Sequence, residues 1–237
     1  MALLTDRHAL VLDAGDGLGA IIAGVLAGEG AAVQRAAADG DLDWDGSADG
    51  IEALCATARA RLGVLDIIVG PAPRLDSTPP NHWSADGFAA LAAAGGALTA
   101  ALGRAALGHL QPPGALCLLG TAWALAGAPD TGLGGGAQVA LGPMTKALAL
   151  EGAARGLRTN AVYTGLVDTP AMRAWSTARA ASTGAHGDVF ERTAAKVAMG
   201  RAGRPEEIAR SVAFLVSNRA RHVNGITLLV DGGLLYA

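Results

Sequence analysis

Short apolar runs alternate with longer helical patterns along the whole chain. Runs such as ALCLL are apolar on both faces, as expected for strands of a sheet that is covered by helices on both sides. The pattern predicts strands at 8–12, 31–35, 42–44, 64–69, 115–119, 158–163 and 226–230, and helices at 17–28, 51–62, 84–110, 137–155 and 205–217.

Strands that are separated by helices of this length indicate right-handed crossovers and a mainly parallel sheet. We therefore predict a single α/β domain over residues 1–237, with a doubly wound, Rossmann-type, seven-stranded sheet and helices on both faces. In such folds ligands bind beyond the carboxyl ends of the strands. Residues 170–199 follow one of these ends, and we expect them to form a lid.

Composition narrows the class of protein. Of the 237 residues 51% are hydrophobic and 16% are charged, which allows a sizeable core, and the net charge of −3 without a basic block argues against a nucleic-acid partner. Cys55 and Cys117 lack metal-ligand spacing, which favours a reduced, cytoplasmic protein without a metal site. We expect no secretory signal, and we expect the apolar stretch 88–110 to be a buried helix rather than a membrane span.

A glycine-rich turn follows the first predicted strand. Its glycines would allow either a pyrophosphate cradle at a helix N-terminus or merely a tight connection between strand and helix; they are Gly15, Gly17 and Gly19. Asp13 and Asp16 oppose the first interpretation, because two like charges about 4 Å apart cost on the order of 4 kcal/mol at an effective dielectric constant of 20. Arg35 and Asp39, near the end of the second strand, are not convincingly placed to bind a ribose or its phosphate.

The acidic segment that follows matches a calcium-loop pattern, with carboxylates at Asp41, Asp43, Asp45 and Glu52 and a glycine at Gly46. A calcium loop should follow a helix, whereas a strand is predicted here. The alternative is a short strand at 42–44, a turn, and a helix capped by Ser47.

Several segments resemble the short-chain dehydrogenase/reductase family over essentially the full length of the chain. Residues 160–169 (NAVYTGLVDT) are similar to the family's N-A-V-x-P-G-x-V-x-T segment, and residues 200–209 and 224–233 are similar to its closing helix and last strand. Residues 144–151 resemble the helix that carries the family's catalytic tyrosine and lysine.

The resemblance implies a tetrad of Asn, Ser, Tyr and Lys that transfers hydride and proton with NAD(P). Its spacing assigns the serine position to Thr121, the tyrosine position to Gly134 and the lysine position to Gln138, while the asparagine falls near 93–95, among Ala and Gly. If a dinucleotide binds, the resemblance implies contacts from Gly15, Gly17, Gly19, Val167 and Thr169. Because of Asp13 and Asp16 we expect no cofactor, with NAD(P) as the alternative.

The segment at the tyrosine position is also unusual in its helix propensity. Gly132 and residues 134–136 each cost about 1 kcal/mol in a helix relative to Ala, so we predict a mobile loop. Pro143 should kink or restart the helix behind this loop.

Three functions remain open. The leading hypothesis is a non-catalytic subunit that forms a homo- or hetero-oligomer with a short-chain dehydrogenase paralogue, since the family associates through helices equivalent to 84–110 and 137–155. The second is a non-redox enzyme (cyclisation, dehydration or elimination) acting on a small molecule through Thr121, Tyr163, Asp168 and His186, unless Tyr163 is simply a packed aromatic. The third is an NAD(P)-dependent oxidoreductase with a non-standard acid.

Overall fold

A parallel six-stranded sheet forms the centre of the computed structural model, which describes residues 2–71, 78–127, 131–183 and 187–236. The strands are β1 (His8–Leu12), β2 (Ala32–Ala36), β3 (Ile67–Val69), β4 (Gly114–Thr121), β5 (Leu157–Thr164) and β6 (Thr227–Val230). Their order is β2-β1-β3-β4-β5-β6. β2 thus lies on one side of β1 and β3 to β6 lie on the other side, as in doubly wound folds.

Helices cover both faces of this sheet, as predicted. They are α1 (Leu18–Gly28), α2 (Ile51–Leu62), α3 (Ala85–His109), α4 (Trp123–Ala126), α5 (Gly132–Gln138), α6 (Leu141–Ala153), α7 (Pro170–Thr183), α8 (Val189–Ala194) and α9 (Pro205–Val216). On one face α1 and α9 bury side chains such as Val11, Cys117 and Val162. On the other, α2 and α3 bury side chains such as Leu10 and Leu118.

The predicted seventh strand at 42–44 is wrong, because only a single bridge between Ala36 and Leu42 forms in the described residues. The Asp41 carboxylate accepts a hydrogen bond from the backbone N–H of Arg35 at 2.7 Å. This donor is therefore not free to pair with the backbone of a strand at 42–44. The chain then turns away, and the Trp44 indole donates to the Ser47 carbonyl.

The predicted cap at Ser47 is also wrong. Helix α2 begins after Gly50, whose φ of 96° suits glycine, and no side chain caps it. The Ser47 backbone N–H instead donates to Asp45 at 2.9 Å. Ser47 therefore belongs to the preceding turn.

Helix α3 is buried over only part of its length. It contacts α2, α5, α6 and β4, and its buried residues all lie in the second half, between Thr99 and Ala106. By length and composition it is apolar enough to span a membrane, and 17% of its most apolar window is buried. The expectation of a buried helix is therefore correct for the C-terminal half and wrong for the N-terminal half.

Candidate functional site

The glycine turn between β1 and α1 is occupied by a side chain of the protein itself. Asp13 is 5% exposed; one of its carboxylate oxygens accepts the Gly15 N–H at 3.0 Å and the other lies 2.9 Å from Nη1 of Arg35. The Asp13 side chain rests on Gly19, where a Cβ would lie 2.5 Å from Cβ of Asp13. Glycine at position 19 thus makes room for Asp13.

Asp16 adds a second carboxylate to the same turn. Its Oδ1 accepts the Leu18 N–H at 2.9 Å at the start of α1. Burial, with a smaller contribution from the charge on Asp13, raises the pKa of Asp16 above its usual range. Burial thus disfavours the charged form of the Asp16 carboxyl.

A dinucleotide does not fit this turn well. A pyrophosphate at the N-terminus of α1 would use N–H groups such as those of Gly15 and Leu18, and both already donate to carboxylates. Arg35, the nearby cation, binds Asp13 and also Asp39, whose Oδ1 is 2.9 Å from Nη2. The donors and the charge that a phosphate requires are therefore used within the chain.

Thr121 and Tyr163 lie on neighbouring strands but face opposite sides of the sheet. The register pairs Gly120 with Tyr163 and Thr121 with Thr164, and successive residues of a strand alternate between faces. Thr121 is 4% exposed, and its hydroxyl accepts the Trp123 N–H at 3.4 Å. The two hydroxyl groups therefore do not converge on one substrate.

Tyr163 is a packed aromatic residue with 1% of its surface exposed. A Cβ at Gly120 would lie 2.5 Å from its ring, so glycine is needed at that position for the ring to pack. Burial raises the pKa of the Tyr163 hydroxyl, and a hydrogen bond from the Gly142 backbone partly opposes this. The hydroxyl lies beside the first turn of α6, where a Cβ at Gly142 would be 3.8 Å from its oxygen.

The segment that carries the tyrosine and lysine positions is helical, so the predicted mobile loop is wrong. Close packing that only glycine permits compensates for its low helix propensity: a Cβ at Gly132 would lie 2.6 Å from the Trp83 ring, and one at Gly135 would lie 3.0 Å from the Trp123 carbonyl. Pro143 lies in the first turn of α6, where its missing N–H is tolerated, as predicted for a restarted helix.

Helix α5 places Gly134 and Gln138 at the wall of a cavity of about 320 Å³. The cavity lies between α3, α5, the start of α6 and the ends of β3 and β4. Gln138 Oε1 is buried without a hydrogen-bond partner. Of the lining residues within the described part of the chain, one, Asp45, has an ionisable side chain. These residues are Ala14, Asp45, Gly46, Gly70, Pro71, Leu91, Ala94, Gly95, Gly96, Leu98, Thr99, Leu102, Leu118, Leu119, Gly134, Ala137, Gln138, Ala140, Leu141 and Met144.

Val167 and Thr169 follow β5. The next residue, Pro170, lies close to the glycine turn, because a Cβ at Gly17 would be 3.6 Å from its Cδ. Val167 is buried and bridges to Gly203. Thr169 Oγ1 accepts the Met172 N–H at 3.1 Å and thereby caps α7. Both residues have structural roles here.

The other candidate groups are dispersed. Asp168 forms a bidentate ion pair with Arg173 at 2.6 and 2.9 Å on the surface, which lowers the pKa of Asp168. His186 lies outside the described residues. The described part of the chain therefore does not assemble a catalytic group from Thr121, Tyr163 and Asp168.

Side chains of α7 and α8 pack against Trp123 of α4, the helix that follows β4. The Trp123 and Trp175 rings stack with their centroids 5.5 Å apart, and Phe190 and Leu166 belong to the same apolar cluster. Sequence reasoning missed this cluster, although Trp123 follows the serine position by two residues. The tryptophan at position 123 was the signal from which an aromatic cluster could have been predicted.

The acidic loop does not gather its carboxylates into a calcium site. Asp41 binds the backbone of Arg35, Asp45 binds the backbone of Ser47, and Glu52 lies 2.7 Å from Nε2 of His109. In the residues that the structure describes, no cluster of three or more His, Cys, Asp or Glu side chains is placed to hold a metal ion.

Comparison with known proteins gives consistent matches. A family model described as enoyl-(acyl carrier protein) reductase matches residues 33–235. The cis-4-hydroxycyclohexanecarboxylate dehydrogenase of Sinomonas cyclohexanicum is 32% identical over 254 residues, covering 96% of either chain. An uncharacterized oxidoreductase of Schizosaccharomyces pombe is 31% identical over 92% of this chain and 82% of its own.

Solved structures agree with these relatives. A dehydrogenase/reductase from Sinorhizobium meliloti 1021 is 29% identical with a TM-score of 0.82, covering 98% of this chain and 96% of its own. A short chain dehydrogenase from Burkholderia cenocepacia J2315 in complex with NADP is 24% identical with a TM-score of 0.85, covering 98% and 99%. The second likeness concerns the fold alone.

Proposed function

The chain belongs to the short-chain dehydrogenase/reductase family, and we propose that it acts there as a non-catalytic subunit that assembles with a catalytically active paralogue. One observation carries the proposal. At the positions where the family resemblance assigns the tyrosine and the lysine, α5 presents Gly134 and Gln138 to the cavity. A general acid must be titratable and within hydrogen-bond reach of the substrate, and neither residue titrates.

The glycine turn supports the same function. Relatives of this chain are named as dehydrogenases, and such chemistry needs a bound nicotinamide. Here Asp13 and Asp16 take the backbone donors of the turn, and Arg35 is paired with Asp13. We therefore propose that the chain binds NAD(P) weakly or not at all, and that the partner subunit supplies the redox activity.

Exposed apolar side chains on α3 and α6 supply a surface for assembly. Phe88 on α3 is 44% exposed and Leu150 on α6 is 79% exposed. The exposure of these side chains agrees with the family resemblance, which implies association through both helices. We assign the contact with the paralogue to these two helices.

Co-expression with a tagged short-chain dehydrogenase encoded near this chain's own gene tests the proposal. We expect affinity purification and light scattering to give a stable mixed complex. Leu150→Glu should abolish it, because the substitution places a charge in the apolar contact. Leu125→Glu is the matched control: Leu125 is 53% exposed but lies on α4. Recovery of homo-oligomers alone, or turnover of NAD(P)H by this chain alone, would contradict the proposal.

A further inference from the structure

Helix α5 is held in its helical form by its neighbours rather than by its own sequence. It has seven residues, and four of them are glycine. Glycine is the least favourable residue in a helix interior after proline, and helices as short as this one are unstable alone in water. The stability of α5 therefore comes from its packing against α3, α4 and β4.

Two of the side chains that pack against α5 are themselves nearly half exposed. A Cβ at Gly132 would be 2.6 Å from the Trp83 ring, and a Cβ at Gly136 would be 3.5 Å from the Phe88 ring. Trp83 is 47% exposed and Phe88 is 44% exposed. Because stabilisation by apolar contact grows with the area that is removed from water, these two contacts hold α5 only weakly.

The N-terminal half of α3 depends on α5 in turn. None of the residues 85–98 is buried, whereas the buried residues of α3 lie between Thr99 and Ala106. Leu133 of α5 is buried and lies against this half of α3, since a Cβ at Gly87 would be 3.6 Å from its Cδ2. Each of the two segments thus supports the other, and we expect them to lose their structure together.

A buried polar atom lowers the stability of the closed arrangement further. Gln138 Oε1, at the end of α5, is buried and accepts no hydrogen bond. An acceptor that leaves water without gaining a donor costs free energy. Opening of α5 would return this oxygen to water, so its solvation favours the open form.

We propose that α5 and residues 85–98 form one switch unit, which opens and closes as a whole while the sheet and the C-terminal half of α3 stay folded. The helix in the structure is the closed state, and the open state is a minor population. Gly134 and Gln138, at the tyrosine and lysine positions, belong to this unit, so opening changes the cavity wall that they form. The switch is a property of the isolated chain and does not depend on the proposed subunit assembly.

Hydrogen–deuterium exchange of individual amides, followed by NMR, tests the switch unit in the wild-type chain. We expect the hydrogen-bonded amides of α5 and of residues 85–98 to give the same opening free energy. Their protection factors should be at least about a hundredfold lower than those of β4 and of the C-terminal half of α3. Equal protection of α5 and β4 would overturn the proposal.

A glycine substitution tests whether helix propensity limits the stability of the unit. In Gly136→Ala the new methyl group makes an ordinary contact with Phe88, and the higher propensity of alanine should slow exchange throughout the switch unit about fivefold. Gly24→Ala is the matched control, because Gly24 is also a helical glycine with open space around its Cβ but lies on α1. Exchange of the switch unit that is unchanged in Gly136→Ala, or slowed equally by both substitutions, would contradict the proposal.

A substitution on α3 tests whether the two segments open together. The Ser84 hydroxyl caps α3 by accepting the Gly87 N–H at 3.0 Å, and loss of such a cap weakens the start of a helix. Ser84→Ala should therefore speed exchange of α5 about fivefold, although the substitution lies on another helix, and should leave β4 unchanged. Faster exchange that is confined to residues 85–98 would show that the segments open separately, and it would overturn the assignment of one unit.

Discussion

Oδ2 of Asp13 lies 2.9 Å from Nη1 of Arg35, which joins the glycine turn after β1 to the end of β2. In the relatives' fold this is the region in which phosphate and ribose groups of a dinucleotide are recognised. Here a carboxylate and a guanidinium of the chain neutralise each other instead. The chain therefore has an internal ion pair at the place where the fold would hold a dinucleotide.

Removing the Asp13 carboxylate should improve dinucleotide binding. Asp13→Gly frees both the Gly15 N–H and Arg35, and we expect calorimetry with NADP to show at least a tenfold gain in affinity, about 1.4 kcal/mol. Asp39→Asn is the control, because it removes a carboxylate from the same arginine without opening the turn. Micromolar binding of NADP by the wild-type chain would contradict our account of this site.

Removing the partner of Asp13 should destabilise the fold. Asp13 is almost fully buried, so Arg35→Met leaves an unpaired carboxylate, and we expect a loss of about 2 kcal/mol in the free energy of unfolding by urea. Asp39→Asn should change it by less than about 0.5 kcal/mol, since Asp39 is largely exposed. Equal effects of the two substitutions would show that the Asp13–Arg35 pair has no special role.

The start of α9 should respond to acid. Hydrogen bonds from Arg201, and then from the Arg204 backbone, lower the pKa of Glu207 from 4.5 to about 2. The resulting stabilisation is present above the unfolded-state pKa near 4.5 and is lost as the pH falls towards 2. Carboxyl groups titrate between about pH 6 and about pH 3. Over this range the free energy of unfolding by urea should therefore depend less on pH in Glu207→Gln than in the wild-type chain. Glu206→Gln, which leaves the Arg201 pair intact, should retain the wild-type dependence.

Both thiols should be unreactive in the folded chain. Cys55 and Cys117 are buried, and burial raises the pKa of each thiol to about 12. The thiolate is the reactive form of cysteine. At about pH 8, which is about half a unit below the pKa of an ordinary thiol, we expect Ellman's reagent to label neither cysteine until guanidinium is added. Rapid labelling of one thiol before unfolding would contradict this.

Periodicity predicted the sheet and most of the helices because strands that are buried on both faces leave a strong apolar signal. It failed at 42–44, where the side chain of Asp41 competes for a backbone donor, and at 132–138, where tertiary packing of glycine against Trp83 and Trp123 outweighs helix propensity. The contacts of the two tryptophans join residues that are distant in sequence. The same applies to the pairing of Asp13 with Arg35, which depends on β1 and β2 being neighbours.

Orientation within the sheet also escaped sequence reasoning. Tyr163 and Thr121 both fall near the carboxyl ends of neighbouring strands, which suggested a shared site. A register offset of one residue sends their side chains to opposite faces. Hydrogen bonding between β4 and β5 sets this offset, and the sequence pattern of the two strands does not predict it.

The stacked rings of Trp123 and Trp175 report optically on the position of α7. Trp123 follows β4 while Trp175 belongs to α7, so any movement of α7 away from the sheet must separate the two indoles. Coupled indole transitions produce signals in circular dichroism and fluorescence that depend on the distance between the rings. A movement of α7 relative to β4 is therefore observable by spectroscopy in the unlabelled protein.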